Sequence, residues 1–385
     1  MKNNQKMTLL GGMTVEQFLR QYWQKKPLLI KQAIPNFAGL LTPNELAGLS
    51  CESDVQSRLI RYENTAWSVE DGPFDDEIFA RLPTRDWTLL VQSVNHHLAT
   101  AYDLLSQFNF IPTARLDDLM VSYAPDGGGV GAHVDSYDVF LLQGQGKRHW
   151  QWSHQTDLSM VENAPLKLLK HFNMEHEYIL EAGDMLYLPP QYAHWGVAVG
   201  ECMTYSIGFR APSNHELGSE FLGYLQDKRA TDDLTIDELY EDADLDDQNA
   251  PAEISALMIN KVNNTLNNIT WSPEDVADFL GRYLTEPKPH VFFESNKKLS
   301  LKKFKELACQ LGLVLDLKSK ALFQGTFFYL NGEALCMLEN QRLLIALANT
   351  RSLAPKNLAA FDDIQSIYDW YLAGYLHFNT EGDTR

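Results

Sequence analysis

The chain has 385 residues, 45% of them hydrophobic, and carries a formal net charge of −19. This length predicts two or three domains rather than one, and the negative charge argues against nucleic acid as the main ligand and favours a basic protein partner. Four cysteines without a C-x-x-C pair argue against structural zinc and against a disulfide framework. We find no signal peptide and no run of roughly 18 apolar residues, so we expect a cytoplasmic protein.

The first part of the chain predicts short helices and strands. Apolar residues at helical spacing predict a helix within residues 15–23, and Thr42 followed by Pro43 is typical of a helix start. Alternating residues predict strands within residues 56–70. Residues 87–105 carry apolar side chains at a spacing that predicts one amphipathic helix.

Residues 116–209 change to short segments of β-branched and aromatic residues separated by glycine and proline. Many short strands with such turns are typical of a β-sandwich or barrel. We therefore predict a β-rich domain which, together with the helices before it, covers residues 1–212.

A candidate metal site lies in this β-rich region. His133 and Asp135 are two residues apart, and in an extended strand such positions point the same way. His194, which closes the run G-D-M-L-Y-L-P-P-Q-Y-A-H, is the best candidate for a third ligand. Two histidines and one carboxylate on one face of a metal are typical of non-haem iron(II) oxygenases. The competing interpretation, a core histidine beside a turn aspartate, is disfavoured because both motifs occur together. We call His133, Asp135 and His194 the metal triad.

The region after the β-rich domain is predicted to be helical. An acidic stretch at residues 226–254 predicts a solvated linker. Ser272 followed by Pro273 is typical of a helix start. We predict that residues 213–290 form a helical region that pairs two protomers into a homodimer.

The last part of the chain, residues 291–385, combines a helix, a β-hairpin and further helices. Asn331-Gly332 between two strand-like segments is a strong hairpin signal. The pattern predicts a winged-helix-like domain. Its lysines predict either a nucleic-acid patch or a solvated helix face, and the second interpretation is favoured; these are Lys297, Lys298, Lys302, Lys303 and Lys305.

Several motifs carry a resemblance to a known family. The two motifs of the metal triad, around His133 and Asp135 and around His194, resemble the metal-binding motifs of the JmjC/cupin oxygenases. The segments G-G-G-V-G-A-H-V-D-S-Y-D-V-F, D-D-L-M and S-I-G-F-R-A-P more narrowly resemble the bacterial ribosomal-protein arginine hydroxylases. The resemblance covers essentially the whole chain and is strongest over residues 116–212. It implies an α+β protein with a double-stranded β-helix (the cupin/JmjC barrel), a helical dimerisation region and a C-terminal winged-helix-like domain.

The resemblance also implies a cofactor and cosubstrates. Iron(II) would be held by the metal triad, with 2-oxoglutarate and dioxygen as cosubstrates. Arg148 matches the position that binds the distal carboxylate of 2-oxoglutarate, and its planar guanidinium suits a carboxylate. Lys147 should point to the opposite strand face. Ser206 is the candidate hydroxyl partner of the cosubstrate, with Thr204 and Tyr205 as alternatives.

The family's substrate pocket matches three further positions. Period-2 alternation places Tyr137 on the face of the metal triad, and Asp118 and Met120 on one face of another predicted strand. The resemblance implies that Asp118 pairs with the guanidinium of a substrate arginine, while Tyr137 and Met120 pack against its stem. The alternative is that these residues simply line the barrel.

The function that the resemblance implies is iron(II)- and 2-oxoglutarate-dependent hydroxylation of an arginine β-carbon. The substrate would be a protein of the large ribosomal subunit, number 16, whose basic character fits the acidic charge of this chain. One alternative is a histidyl hydroxylase or N-methyl demethylase acting on another basic protein. Two others are a non-oxidative metal-binding cupin and a module that binds nucleic acid through its winged helix, although we do not expect direct nucleic-acid binding.

Overall fold

The computed structural model of the chain describes residues 5–231, 239–245, 247, 250–337, 341–358 and 364–380. The acidic stretch predicted as a linker at residues 226–254 lies partly outside these ranges. Within them, no helix is both long enough and apolar enough to span a membrane.

Short helices and strands form the N-terminal region. They are α1 (Val15–Gln21), β1 (Leu28–Ile30), α2 (Pro43–Leu49), β2 (Ser57–Glu63), β3 (Ala66–Asp71), β4 (Trp87–Val91) and α3 (Ala99–Ser106). Thr42 begins α2 with a capping box: its hydroxyl accepts a hydrogen bond from the Glu45 backbone N–H, and the Glu45 carboxylate accepts one from the Thr42 N–H. The predicted helix start at Thr42 is therefore confirmed.

The prediction of one helix over residues 87–105 is wrong. The segment begins as strand β4, passes through a single 3-10 turn at Val94–His96, and becomes helical only in α3. All five residues of β4 are buried, because this strand lies inside the sheet, next to β2. A continuous apolar run of this length suits a buried strand as well as a buried helix, so periodicity could not distinguish them.

Two long strands organise the β-rich region. Its strands are β5 (Leu116–Ala124), β6 (His133–Val134), β7 (Val139–Ser153), β8 (His176–Glu181), β9 (Met185–Leu188) and β10 (Ala193–Phe209). β7 and β10 pair with each other along most of their length. The first half of β7 also pairs with β9 and its second half with β8, whereas β10 begins beside β6 and ends beside β5. Side chains from β5, β6, β7 and β10 line one cavity, as the predicted double-stranded β-helix requires.

Glycine allows the long strands to bend. The pairing of β7 with β10 shifts between Val199 and Met203. Gly146, opposite this shift, has a φ of +64°, and a Cβ there would overlap the Glu201 carbonyl oxygen. Only glycine fits so close an approach at positive φ, so the bend is a property of the local sequence.

The sheet is buried on both faces. Phe140 of β7 packs with Phe18 of α1 and Tyr187 of β9, at ring-centroid distances of 5.6 and 4.8 Å. Leu141, the next residue of β7, faces the cavity instead, because side chains alternate along a strand. The N-terminal helices therefore cover one face of the sheet and leave the other for the cavity.

The C-terminal part contains helices and two small sheets. The helices are α4 (Asn214–Thr231), α5 (Ala256–Asn267), α6 (Pro273–Thr285), α7 (Leu301–Leu311), α8 (Gln341–Thr350), α9 (Pro355–Leu358) and α10 (Ile364–Leu372). The strands are β11 (Leu313–Leu315), β12 (Ala321–Gln324), β13 (Phe327–Leu330), β14 (Glu333–Cys336), β15 (Ser352–Leu353) and β16 (Leu376–Phe378). Ser272 caps α6 as predicted, and Asn331 and Gly332, both at positive φ, form the predicted hairpin turn.

Helix α6 connects the helical region to the winged-helix part. It contacts α4 and also the sheet of β12, β13 and β14, where Gly281 leaves room for the Tyr329 ring. The division of domains at residue 290 stays a prediction. The C-terminal part also contacts the barrel, because the Lys320 ammonium donates a hydrogen bond of 2.8 Å to the Leu116 carbonyl oxygen.

Candidate metal and cosubstrate site

The metal triad converges inside the barrel. His133 lies on β6 directly opposite His194 on β10, and Asp135 follows β6. The Asp135 Oδ2 atom lies 3.5 Å from His194 Nε2 and 4.0 Å from His133 Nε2. In the described part of the chain, no other three histidine, cysteine, aspartate or glutamate residues have ligand atoms that all lie within 4.8 Å of one another. The donors are therefore placed to close on one metal ion.

Both histidines present Nε2 to the site. His133 Nδ1 lies 3.0 Å from the Gly131 carbonyl oxygen, and His194 Nδ1 lies 2.9 Å from the Tyr192 carbonyl oxygen. A carbonyl oxygen only accepts hydrogen bonds, so each Nδ1 carries the proton and each Nε2 keeps its lone pair. These contacts hold the tautomer and ring orientation that metal ligation needs.

The surroundings of His194 favour its neutral form. Its side chain is 2% exposed, and burial, together with the neighbouring His133, lowers the pKa of His194 to about 4 although Asp135 acts in the opposite direction. A neutral imidazole is the form that binds a metal. The site thus offers a neutral imidazole at His194.

The metal triad opens into a cavity of about 570 Å³. Every site residue that the sequence analysis selected lines this cavity: His133, Asp135, His194, Arg148, Ser206, Asp118, Met120 and Tyr137. They come from β5, β6, β7, β10 and the loop after β6. The fold therefore brings together groups that are far apart in the chain.

Arg148 is a buried cation without a carboxylate beside it. It is 3% exposed, and burial lowers the pKa of its guanidinium. No carboxylate is close enough to shift this pKa in the opposite direction. Its guanidinium donates only long hydrogen bonds, to Ser122 Oγ at 3.3 Å, Thr204 Oγ1 at 3.4 Å and the Gly196 carbonyl oxygen at 3.4 Å, and its Nε has no partner. An uncompensated buried cation destabilises a fold. The site therefore fits an anionic ligand, and a guanidinium is best matched by a carboxylate.

Alternation along β10 separates the three candidate hydroxyl groups. Thr204 and Ser206 both line the cavity, but Thr204 is the one that contacts the Arg148 guanidinium. Tyr205 points to the other face of the strand, where its Oη accepts a hydrogen bond of 2.7 Å from the Leu40 N–H. This contact keeps the Tyr205 hydroxyl out of the cavity.

Asp118 is a buried carboxylate on β5. It is 7% exposed, and its Oδ2 accepts two hydrogen bonds of 2.9 Å from the backbone N–H and the hydroxyl of Ser93. Burial, together with Asp117, raises the pKa of Asp118. The neighbouring cation Lys288 pairs with Asp117 at 3.0 Å rather than with Asp118. A buried carboxylate that lines a cavity is a binding group for a cation.

Tyr137 and Met120 lie between these polar groups. Burial, followed by the charge of Asp135, raises the pKa of Tyr137, so its hydroxyl stays protonated. Met120 lies on β5 between Asp118 and the hydroxyl of Ser122, and its sulfur accepts a contact of 3.3 Å from the Gln92 amide. The two side chains provide an apolar lining suited to the stem of a long cationic side chain.

Three residues of the site were missed in the sequence. Gln92 and Ser93 follow β4, where the erroneous helix removed any signal that Gln92 lines the cavity and that Ser93 donates hydrogen bonds to Asp118. Trp150, which the sequence analysis did not select, lines the cavity, and its indole N–H is buried without a partner. Its signal was available, because Trp150 lies two residues after Arg148 and alternation places both on one strand face.

Comparison with known families identifies the class of protein. A profile described as the JmjC domain matches residues 103–217, and a profile described as the ROXA-like winged helix matches residues 265–377. The first match contains β5 to β10, and the second contains α6 and the elements after it. The fold and the site thus define a JmjC-domain protein with a C-terminal winged helix, which confirms the predicted fold class.

Similar proteins narrow this class. The chain is 33% identical over 350 residues to the ribosomal protein uL16 3-hydroxylase of Escherichia coli, covering 88% of this chain and 90% of that protein. It is 40% identical over 205 residues to a probable ribosomal oxygenase of Haemophilus influenzae, covering 52% and 50% of the two chains. The chain therefore belongs to the JmjC-type ribosomal oxygenase family.

Solved structures agree with this assignment. An X-ray structure of E. coli YcfD matches with a TM-score of 0.83 and 31% identity, covering 95% of this chain and 98% of that one. YcfD in complex with cobalt and 2-oxoglutarate matches with a TM-score of 0.81 and 31% identity, covering 96% and 99%.

Proposed function

We propose that this protein is an iron(II)- and 2-oxoglutarate-dependent oxygenase that hydroxylates the β-carbon of an arginine in ribosomal protein uL16. The observation that carries the proposal is the presence, in one cavity, of a metal triad and a buried arginine with no carboxylate beside it. The E. coli relative is named a uL16 3-hydroxylase, and a related structure holds cobalt and 2-oxoglutarate.

The metal triad would hold the iron. Its donors approach from one side and leave the opposite side open for ligands. Iron(II) bound there supplies, with dioxygen and 2-oxoglutarate, the oxidising chemistry that an unactivated C–H bond requires. The chain itself orients the substrate carbon and excludes water.

Arg148 would bind the distal carboxylate of 2-oxoglutarate. Arg148 lines the cavity, and the hydroxyl groups of Ser122 and Thr204, which contact its guanidinium, are close enough to share the same carboxylate. The Thr204 hydroxyl is held by its own hydrogen bond of 3.1 Å to Gln143 Oε1. Ser206, which lines the same cavity, is the third hydroxyl of this proposed subsite.

The substrate arginine would bind at Asp118. A guanidinium there would supply the cationic partner that the Asp118 carboxylate lacks. Tyr137 and Met120 would pack against the methylene stem, so that the β-carbon is directed towards the metal triad. The two hydrogen bonds from Ser93 keep the Asp118 carboxylate in place.

Mass spectrometry of uL16 after reaction tests this function. The full-length protein is incubated with iron(II), 2-oxoglutarate, dioxygen and uL16, and we expect one added oxygen on one arginine together with formation of succinate. Oxygen on a histidine would identify a histidyl hydroxylase, and release of formaldehyde would identify a demethylase. Absence of 2-oxoglutarate turnover with uL16 and with other basic proteins would support a non-oxidative cupin and overturn the proposal.

We further propose that two copies of the chain associate through α5. This helix exposes four large apolar side chains: Met258, Ile259, Val262 and Leu266 are 42%, 56%, 40% and 58% exposed. Contiguous exposed apolar surface is typical of an interface. Ile259→Glu should convert a dimer to a monomer in light scattering, while Asn264→Glu on the same helix should not. A monomeric wild-type protein would contradict this proposal.

The proposed substrate also sets the cellular context. A ribosomal protein as substrate places the activity in the cytoplasm, and the charge of −19 suits a basic partner. Direct binding to nucleic acid is not part of the proposal, since so acidic a protein repels phosphate groups.

A further inference from the structure

Two cations of the cavity have no role in the proposed chemistry. Arg58 on β2 and Lys167 in the loop between β7 and β8 both line the cavity. Within the described residues, neither side chain forms a hydrogen bond or an ion pair. The chain has 51 acidic residues against 32 lysines and arginines, so a scarcity of internal carboxylates does not explain two unpaired cations in one cavity.

Arg58 shares the cavity face of the sheet with the cosubstrate residues. It is in register with Leu90 on β4, and Leu90 is in register with Ser122 on β5. Ser122 in turn contacts the Arg148 guanidinium. Adjacent strands are about 4.8 Å apart, so Arg58 lies about 10 Å to the side of β5. Arg58 thus belongs to a row of residues that leads to the proposed 2-oxoglutarate site. On its other side it is in register with Asp71 on β3, with which its side chain forms no ion pair.

The loop that carries Lys167 reaches the same hairpin. Gly131 is in close contact with Leu168, the residue after Lys167, and also lies beside the ring of Trp67 on β3. Strand β3 forms a hairpin with β2, the strand of Arg58. Lys167 therefore borders the cavity from the loop, near the Trp67 end of this hairpin, and Arg58 borders it from β2, four residues from Tyr62, the partner of Trp67.

The separation from Asp118 fits a short peptide. Asp118 precedes Ser122 by four residues on β5, which corresponds to about 13 Å along the strand. Combined with the lateral distance of about 10 Å, this places the Cα atoms of Asp118 and Arg58 about 16 Å apart. Side chains shorten the gap, so a residue about two to four positions from the bound arginine would meet the two cations.

We propose that Arg58 and Lys167 form a subsite for a carboxylate side chain that lies near the target arginine in the substrate sequence. The inference rests on the proposed function, which supplies the arginine at Asp118. Asp118 alone cannot select one arginine in a basic protein, because every arginine offers the same guanidinium. Two further cations attract an acidic neighbour and repel additional lysines and arginines, and specificity requires both effects.

Synthetic peptides test the subsite. Each peptide has one central arginine in a neutral background and a single glutamate, placed at one of the four positions before or the four positions after the arginine. A matched peptide carries glutamine in place of that glutamate. Full-length enzyme with iron(II), 2-oxoglutarate and dioxygen should show about tenfold higher kcat/KM for glutamate than for glutamine at one position. The Arg58→Glu variant should reverse this preference in favour of glutamine at that position, and Lys167→Glu should weaken it.

Matched variants separate the subsite from general charge effects. Arg61 lies on β2 but pairs with Glu70 at 2.9 Å, and Lys170 lies on the same loop as Lys167 but pairs with Glu162 at 3.0 Å. Arg61→Glu and Lys170→Glu should leave the preference for glutamate unchanged. Thermal melting by circular dichroism identifies any variant that fails to fold. If Arg58→Glu fails to fold, Lys167→Glu provides the test, because Lys167 is exposed.

Several outcomes would overturn the subsite. Equal turnover of glutamate and glutamine peptides by the wild type would do so, as would an unchanged preference in Arg58→Glu. If the two cations bind ribosomal RNA instead, peptides will show no preference and Arg58→Glu will slow only the reaction of assembled subunits. If the wild type oxidises no arginine at all, the proposed function fails, and fluorescence anisotropy of the same peptides with the same variants still decides the subsite.

Discussion

The barrel cavity and the winged-helix domain bury polar groups in different ways. In the winged-helix domain, Phe304 is fully buried, and Asn331 donates to the Ser319 hydroxyl at 3.0 Å. Every buried side-chain polar atom in the described part of that domain has a partner. In the cavity, Arg148 Nε and Trp150 Nε1 are buried without one.

This difference distinguishes residues that stabilise the fold from residues that bind a ligand. A buried polar group without a partner destabilises a folded chain. It is therefore expected where a ligand completes the interaction, and not in a core that only supports the fold. The contrast predicts that variants in the cavity change binding with little loss of stability, while variants in the winged-helix core do the reverse.

Asp135→Ala is expected to produce the largest effect. Loss of the only carboxylate of the metal triad should lower turnover by at least about a thousandfold, since the metal provides several kcal/mol of stabilisation. Anaerobic calorimetry with iron(II) should show a parallel loss of binding. A variant that keeps a tenth of the wild-type turnover would show that Asp135 is not a ligand.

Phe304→Ala tests the other region. Removal of a fully buried aromatic side chain should lower the free energy of unfolding by about 3–5 kcal/mol. Urea denaturation measures this change. The dissociation constant of 2-oxoglutarate for the folded protein should stay as in the wild type, and a tenfold change would break the separation between the two regions.

Arg148→Met sharpens the comparison inside the cavity. Affinity for 2-oxoglutarate should fall about a hundredfold, because a buried charge pair is lost. Without cosubstrate the melting temperature should not fall, since the variant removes an uncompensated cation. Lys147→Met is the matched control, because Lys147 points outward and pairs with Glu181 at 2.7 Å. Unchanged 2-oxoglutarate affinity in Arg148→Met would refute its assignment.

The smallest effect concerns the contact between the two regions. His96 lies beside Lys318 of the C-terminal part, and burial lowers the pKa of His96 to about 3. In the unfolded chain a histidine titrates near 6.5, so below this pH the unfolded state binds more protons and stability falls. Between pH 7 and pH 5 the loss should be about 2 kcal/mol. Urea denaturation of wild type and His96→Gln should differ in pH dependence by this amount, and identical curves would contradict the prediction.

Local signals explain why part of the molecule could be predicted. The helix starts at Thr42 and Ser272 and the turn at Asn331-Gly332 depend on neighbouring residues, and all are found as predicted. The helix prediction for β4 is wrong because its apolar residues are continuous and show no periodicity. The segment is a strand because it pairs with β2 and β5. The error also concealed Ser93, the hydrogen-bond donor to Asp118.

By itself, the sequence determined which chemical groups this protein has and which of them share a strand face, because alternation and turn chemistry are local. Only the tertiary structure decided that Thr204 contacts Arg148, that Tyr205 faces away, and that Arg58 enters the same cavity. These contacts depend on which strands pair and in what register. Pairing and register follow from burial over the whole domain, and no short segment contains that information.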